Sequence, residues 1–138
     1  MDIAYSILKE KKYMNISNKT KKYKDNFLDE LNKMNRSIIG FYNPIKIGNY
    51  KLSIQASHHH YCTPREILRN LYMYTTMEIA IIKNNNFLDL KDDLLISFKD
   101  NDTLSSYVAD NYAIYEYVPI EYIQSLYEHM IEYSKNNY

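Results

Sequence analysis

The chain is poor in the residues from which most catalytic and cofactor-binding motifs are built. Among its 138 residues there is one cysteine, Cys62, so no intrachain disulfide framework can form. It has two glycines, Gly40 and Gly48, and Asn49 follows the second. A phosphate-binding loop of the form G-x-x-x-x-G-K cannot be written with them. Neither can the three-glycine dinucleotide fingerprint or the nucleophile elbow G-x-S-x-G. No H-E-x-x-H and no C-x-x-C is present. No apolar run approaches the ~20 residues needed to span a bilayer. The first residues, MDIAYSILKEKKYM, place an acid at position 2 and the lysines after the apolar stretch, the reverse of a secretory leader. The expectation is a cytoplasmic protein without membrane contact, cofactor or bound metal.

Arginine is also scarce. Lysine, asparagine and tyrosine are abundant, with 16 tyrosines, a usage that suits an AT-rich bacterial or phage gene. In a chain that nearly always chooses lysine, Arg65 and Arg69 stand out. Arginine offers a planar fork that matches phosphate or carboxylate with two parallel bonds, which lysine cannot do.

Hydrophobic residues make up 46% of the chain, enough for a real core, and the length fits one domain. The net charge is zero but uneven: residues 1–51 carry 11 basic and 5 acidic side chains, and residues 52–138 carry 6 and 12. Such a split can recruit an acidic partner or nucleic acid, or can decorate solvated faces.

The periodicity predicts a short helix over 3–13 and a second over 21–35, with Tyr23, Phe27, Leu31 and Met34 on one face. Gly48–Asn49 between two extended runs reads as a Gly-first hairpin, with a strand from Tyr50 to Ser57. Further strands are expected at 74–82, which is rich in β-branched residues and has a buried helix as the alternative, at Leu94–Phe98 and at Asn111–Val118, with a turn at Asn84–Asn86. Pro119 opens a C-terminal helix whose buried stripe is Ile123, Leu126, Met130 and Ile131. The expected fold is α+β: a small, mainly antiparallel sheet of about four or five strands over 41–118, a basic helical extension over 1–40 and a C-terminal helix over 119–138. Tyr115, Tyr117, Tyr122, Tyr127 and Tyr133 are expected to pack in or around the core rather than to line an interface.

Chemistry concentrates between Gln55 and Glu66, in QASHHHYCTPRE. Thr63, Pro64 and Glu66 have the spacing of a helix start with a capping box. If 58–62 is extended, His58, His60 and Cys62 share a side and could meet a fourth zinc ligand such as His129. His60 as general acid–base with Arg65 as charge stabiliser would describe a cyclic-nucleotide hydrolase. The same groups without turnover describe a binding site. Arg65, helped by Arg69, would take a phosphate, His60 and Tyr61 would face a base, and Gln55 would bond a base edge.

The elements SIQAS, HYCTPR and the following Tyr74…Glu78-Ile79 strand resemble the first-described family of Thoeris anti-defence proteins, over residues 50–80. These are phage proteins that sequester signalling nucleotides made by bacterial immune systems. The resemblance implies a non-enzymatic sponge, active in the cytoplasm of an infected bacterial host. It would bind a cyclic or glycocyclic nucleotide intact and form a homo-oligomer with sites between subunits. His60 and Arg65, and approximately Gln55, fall on ligand-contacting positions. The rival reading is a protein-binding inhibitor of a bacterial defence complex, acting through its charged helices or its acidic C-terminal half.

Overall fold

A computed structural model describes residues 25–137. The helix expected at 3–13 lies outside them. Five strands form one open antiparallel sheet, accompanied by four α-helices and a single 3-10 turn among the described residues. The fold is α+β. In chain order the elements are α1 (Phe27–Asn32), β1 (Ile45–Ile47), β2 (Tyr50–Gln55), β3 (Thr76–Lys83), β4 (Asn86–Phe87), α2 (Asp93–Ile96), α3 (Asn101–Ser105), β5 (Ile114–Pro119) and α4 (Ile120–Asn136). The 3-10 turn, Leu71–Met73, precedes β3.

Two hairpins set the register. Ile47 pairs with Tyr50 across Gly48–Asn49, and Gly48 takes φ +62°, as the Gly-first turn requires. Lys83 pairs with Asn86 across Asn84–Asn85, both at positive φ, which asparagine tolerates better than most residues. β3 is the central strand. It pairs with β2 along one edge and with β5 and β4 along the other. Strict alternation along β3 puts Met77, Ile79 and Ile81 into the core, opposite Ile54 and Leu52 of β2.

The core is completed by α4, whose Ile123, Leu126, Tyr127 and Met130 recur at helical spacing and are buried. Ile131 is only partly buried against it. Tyr115 and Tyr127 are core residues, and Tyr117 is exposed. No helix among the described residues is long and apolar enough to cross a membrane.

Two expectations need correction. Leu94–Phe98 is not a strand. The Asp92 carboxylate accepts from the backbone N–H of Leu94 at 2.9 Å and caps α2. Leu94, Leu95 and Phe98 are buried at helical spacing, while Ile96, which alternation would bury, is 65% exposed. Nor does a helix start at Thr63-Pro64. Thr63 is an isolated bridge partner of Thr76, its N–H donating to the Thr76 carbonyl, and its hydroxyl receives the Thr76 hydroxyl at 2.9 Å. The Thr63–Pro64 peptide is cis, and residues 64–70 carry no helix.

From Phe27 onward the N-terminal segment is no appendage, because Phe27, Leu28 and Leu31 are fully buried. Its anchor is Gln124 of α4, itself 1% exposed. The Gln124 carbonyl accepts from Phe27 N at 3.1 Å, and its amide donates to the Asp25 carbonyl. The first N–H groups of a helix have no partner within it, so a buried helix start needs such a clamp. Gln124→Leu keeps the volume but orphans both backbone groups. Urea denaturation should show a loss of about 1–3 kcal/mol; a loss below about 0.5 kcal/mol, the level of an ordinary surface change, would dismiss the clamp.

Candidate functional site

Past β2 the chain does not stay extended. The Ser57 hydroxyl oxygen accepts from His59 N at 3.0 Å and lies 2.6 Å from His60 Nδ1. His60 N donates to the Ser57 carbonyl, and Cys62 N to the His60 carbonyl. This turn separates the histidines. His58 and His59 are exposed, and His60 is buried with its ring 4.7 Å from that of Phe41. The shared side expected for His58, His60 and Cys62 is therefore not formed. His129 is elsewhere, its Nε2 donating to the Leu94 carbonyl at 2.7 Å. No three His, Cys, Asp or Glu side chains converge to hold a metal among the described residues.

Burial, followed by the positive charges of His59, Arg36, Arg65 and His58, pushes the His60 pKa down. A neutral imidazole whose Nδ1 accepts from the Ser57 hydroxyl satisfies this pair. Cys62 is also sealed, its thiol donating to the Ser57 carbonyl at 3.3 Å, and burial raises its pKa. A thiol held in that protonated state is a poor nucleophile.

Gln55 does not join the surface site. Its amide oxygen accepts from Tyr42 N at 2.8 Å and its amide nitrogen donates to the Tyr42 carbonyl at 2.7 Å, extending the sheet with a side chain. Arg36, the third arginine, is also internal. Its guanidinium donates to the Gly40 and Ala56 carbonyls and to the Tyr74 hydroxyl and lies 4.6 Å from the Tyr42 ring centre. The Tyr74 hydroxyl in turn donates to the Glu66 carbonyl and accepts from Leu68 N at 2.9 Å, which pins the loop that carries Arg65 and Arg69. Arg69 is exposed in that loop.

What comes together on the surface is Tyr61, Arg65, Glu78 and Tyr117. Tyr61 is tied to two adjacent strands. Its N–H donates to Glu78 Oε1 of β3 at 3.3 Å, and its carbonyl accepts from Tyr117 N of β5 at 3.1 Å. The two tyrosine rings are 5.7 Å apart, and the Arg65 guanidinium carbon sits 4.9 Å from the Tyr61 ring centre. Arg65 Nε donates to the His60 carbonyl at 3.1 Å. Among the described residues its two terminal nitrogens make no hydrogen bond or ion pair.

A β-bulge shapes this surface. Met77 pairs with Val118 but Ile79 with Tyr115, so Glu116 and Tyr117 together face Glu78. Tyr117 takes φ +54°, a left-handed conformation costing a side-chain-bearing residue about 1–2 kcal/mol. Glu78 is half-buried, and among the described residues the one hydrogen bond to its carboxylate is the long one from Tyr61 N. Burial raises its pKa most; the Tyr61 N–H pulls it back, Glu116 raises it further and Arg65 lowers it.

Sequence reasoning undervalued Glu78 and Tyr117. One signal was available: Glu78 is the lone charge in YTTMEIAII, an otherwise uncharged strand. Away from this platform, a cleft of about 370 Å³ runs between α4 and the segment after α2, lined by Phe98, Lys99, Glu128, His129 and Glu132 among others. No protein-family model, curated protein or solved structure matches the chain.

The Glu78 carboxyl has a higher pKa folded than unfolded, so keeping it ionised at neutral pH opposes folding. That penalty disappears as pH falls through the folded value and below the unfolded one. Glu78→Gln should therefore raise the melting temperature of the ligand-free protein at about pH 7.5, with the gain vanishing as pH falls below the ordinary carboxylate value of 4.5. A lower melting temperature at neutral pH would mean that Glu78 is an ordinary satisfied strand residue.

Proposed function

We propose that the protein binds a small phosphorylated signalling nucleotide on the Tyr61–Arg65–Tyr117 platform and releases it unchanged. In biological terms it is a phage-type immune-evasion protein that sequesters the signal. The observation that carries this is the unspent guanidinium fork of Arg65, oriented by the His60 carbonyl and the Tyr61 ring. A fork fixed in this way takes a phosphate with two charge-assisted bonds and loses little side-chain entropy in doing so. The exposed tyrosines supply aromatic surface for a base. The sequence resemblance over residues 50–80 points the same way, with His60 acting as a support beneath the site rather than as a ligand contact.

The absence of turnover is supported by the surroundings of the candidate catalysts. His60 is 7% exposed with Nδ1 engaged by Ser57, so a general acid–base role would require the turn to open. Cys62 is more deeply sealed.

A thermal-shift screen with cyclic mono-, di- and trinucleotides and ADP-ribose derivatives tests the reading, since a ligand bound to the native state alone raises the melting point. Arg65→Ala should weaken binding about 10- to 150-fold, equivalent to about 1.5–3 kcal/mol for a charged hydrogen bond. Heat denaturation should return the nucleotide intact. Recovery of a cleaved product, or undiminished binding by Arg65→Ala, would overturn the proposal.

A second reading has one observation in its favour. Ile38 is fully exposed and Ile39, Phe41 and Ile67 are 65%, 40% and 50% exposed, so two loops carry an apolar surface of the kind that marks protein contacts. An inhibitor of a host defence complex would use it. Ile38→Asp with Ile39→Asp should then abolish a complex with the host protein and leave any nucleotide-induced melting shift untouched. Persistence of the complex in that variant would remove this reading.

A further inference from the structure

We propose that Glu78 reads the base of the bound nucleotide, and that the base is guanine. The inference rests on the nucleotide-binding reading and adds to it the identity of the ring.

Among the described residues, Glu78 has fewer partners than its carboxylate can take. A carboxylate offers about four lone-pair positions. Glu78 receives one donor, Tyr61 N at 3.3 Å, and forms no ion pair among the described residues. It nevertheless sits half-buried on the central strand, with a second carboxylate, Glu116, in the bulge opposite. Carboxylates drawn out of water are usually paired with a cation or several donors, and those with a perturbed protonation equilibrium cluster at sites of function. Arg65 is near enough to pull the Glu78 pKa down, yet the two charges are not paired. The Tyr61 residue joins them instead, its N–H on Glu78 and its ring beneath the guanidinium. Within the reach of one residue the surface thus presents a cation, aromatic rings and a half-buried acceptor.

A ligand that satisfies all three has an anionic group, a flat ring and two adjacent N–H donors on the ring edge. Guanine places N1–H and the 2-amino group side by side, which matches the two oxygens of a carboxylate. Adenine puts one donor next to a lone pair, N1, which would face the carboxylate with like charge. Hypoxanthine lacks the 2-amino donor, and xanthine has an acceptor oxygen there. The phosphate goes to Arg65 above the Tyr61 ring, the base lies against the exposed Tyr117, and the donor edge goes to Glu78.

Calorimetric titration with the 5′-monophosphates of guanosine, adenosine, inosine and xanthosine, on wild type and three variants, separates the two levels of the claim. Wild type should prefer the guanine nucleotide over the adenine one by about 10- to 100-fold, the discrimination of one bidentate base contact. Glu78→Gln, which presents an N–H in place of one acceptor, should erase that preference and improve xanthosine relative to guanosine. Glu116→Gln, a control that keeps the reading carboxylate, should retain the guanine preference. Arg65→Ala should weaken all four nucleotides alike. Binding of guanine and adenine nucleotides within twofold by wild type, or an unchanged ratio in Glu78→Gln, overturns the assignment of the base and leaves the nucleotide reading standing. If none of the four binds wild type while a cyclic nucleotide or ADP-ribose derivative raises its melting point, the base assignment fails and the nucleotide reading stands; if neither set binds, both fail together.

Discussion

One extra residue in β5 governs the arrangement of the candidate site. Without it, Glu78 would face a single partner across a regular ladder, and Tyr117 would alternate to a fixed side of the sheet. With it, Glu116 and Tyr117 share the position opposite Glu78, and the left-handed turn at Tyr117 aims its N–H at the Tyr61 carbonyl. That bond and the one from Tyr61 N to Glu78 seat the tyrosine segment along the sheet. Arg65 follows, because its Nε is held by the His60 carbonyl and its charge by the Tyr61 ring. The strain of about 1–2 kcal/mol at Tyr117 is tolerable because flanking Val118 and Tyr115 are fully buried and hold β5 on both sides of the bulge.

The long irregular stretches on either side of β1–β2 are held by side chains that imitate backbone. Gln55 bonds the Tyr42 peptide at both ends, as a further strand residue would. Arg36 and the Tyr74 hydroxyl close the Ala56, Glu66 and Leu68 backbone groups, and Gln124 closes the start of α1. Buried backbone polar groups need partners wherever they lie, and here a few long polar side chains supply what a helix or ladder would. The platform can therefore sit on loops and still be well defined in position.

This explains which parts were legible in the sequence. The hairpin at Gly48, the turn at Asn84 and the β-branched run of β3 are local signals with local causes, and the structure has them in place. The helix α4 was legible because Pro119 and a buried stripe agree. Leu94–Phe98 was not, because a short apolar run is equally good for a strand or one helical turn, and the Asp92 cap settles it. Thr63-Pro64 misled for a different reason: the threonine that could cap a helix is taken by Thr76, a partner in another element. Gln55 likewise found its partner 13 residues away, which no spacing rule anticipates. Arg65 stood out by composition, while Glu78 was hidden within a strand whose apolar neighbours attract the eye.

An internal pairing of Arg65 with Glu78 would add little to the stability of the fold. If Arg65 and Glu78 closed into an ion pair at this partly exposed surface, the gain would be about 0–1 kcal/mol, because water already solvates the arginine well and ordering its side chain costs entropy. Keeping them apart on either side of Tyr61 therefore forfeits little stability. It leaves two charged groups, each able to form a charge-assisted bond of about 1.5–3 kcal/mol with an incoming molecule. The bulge, the strained tyrosine and the buried support of His60 and Ser57 maintain that separation. A cation and an anion kept near but unpaired beside two tyrosine rings are what the proposed nucleotide, with its charge and its hydrogen-bond donors, would require.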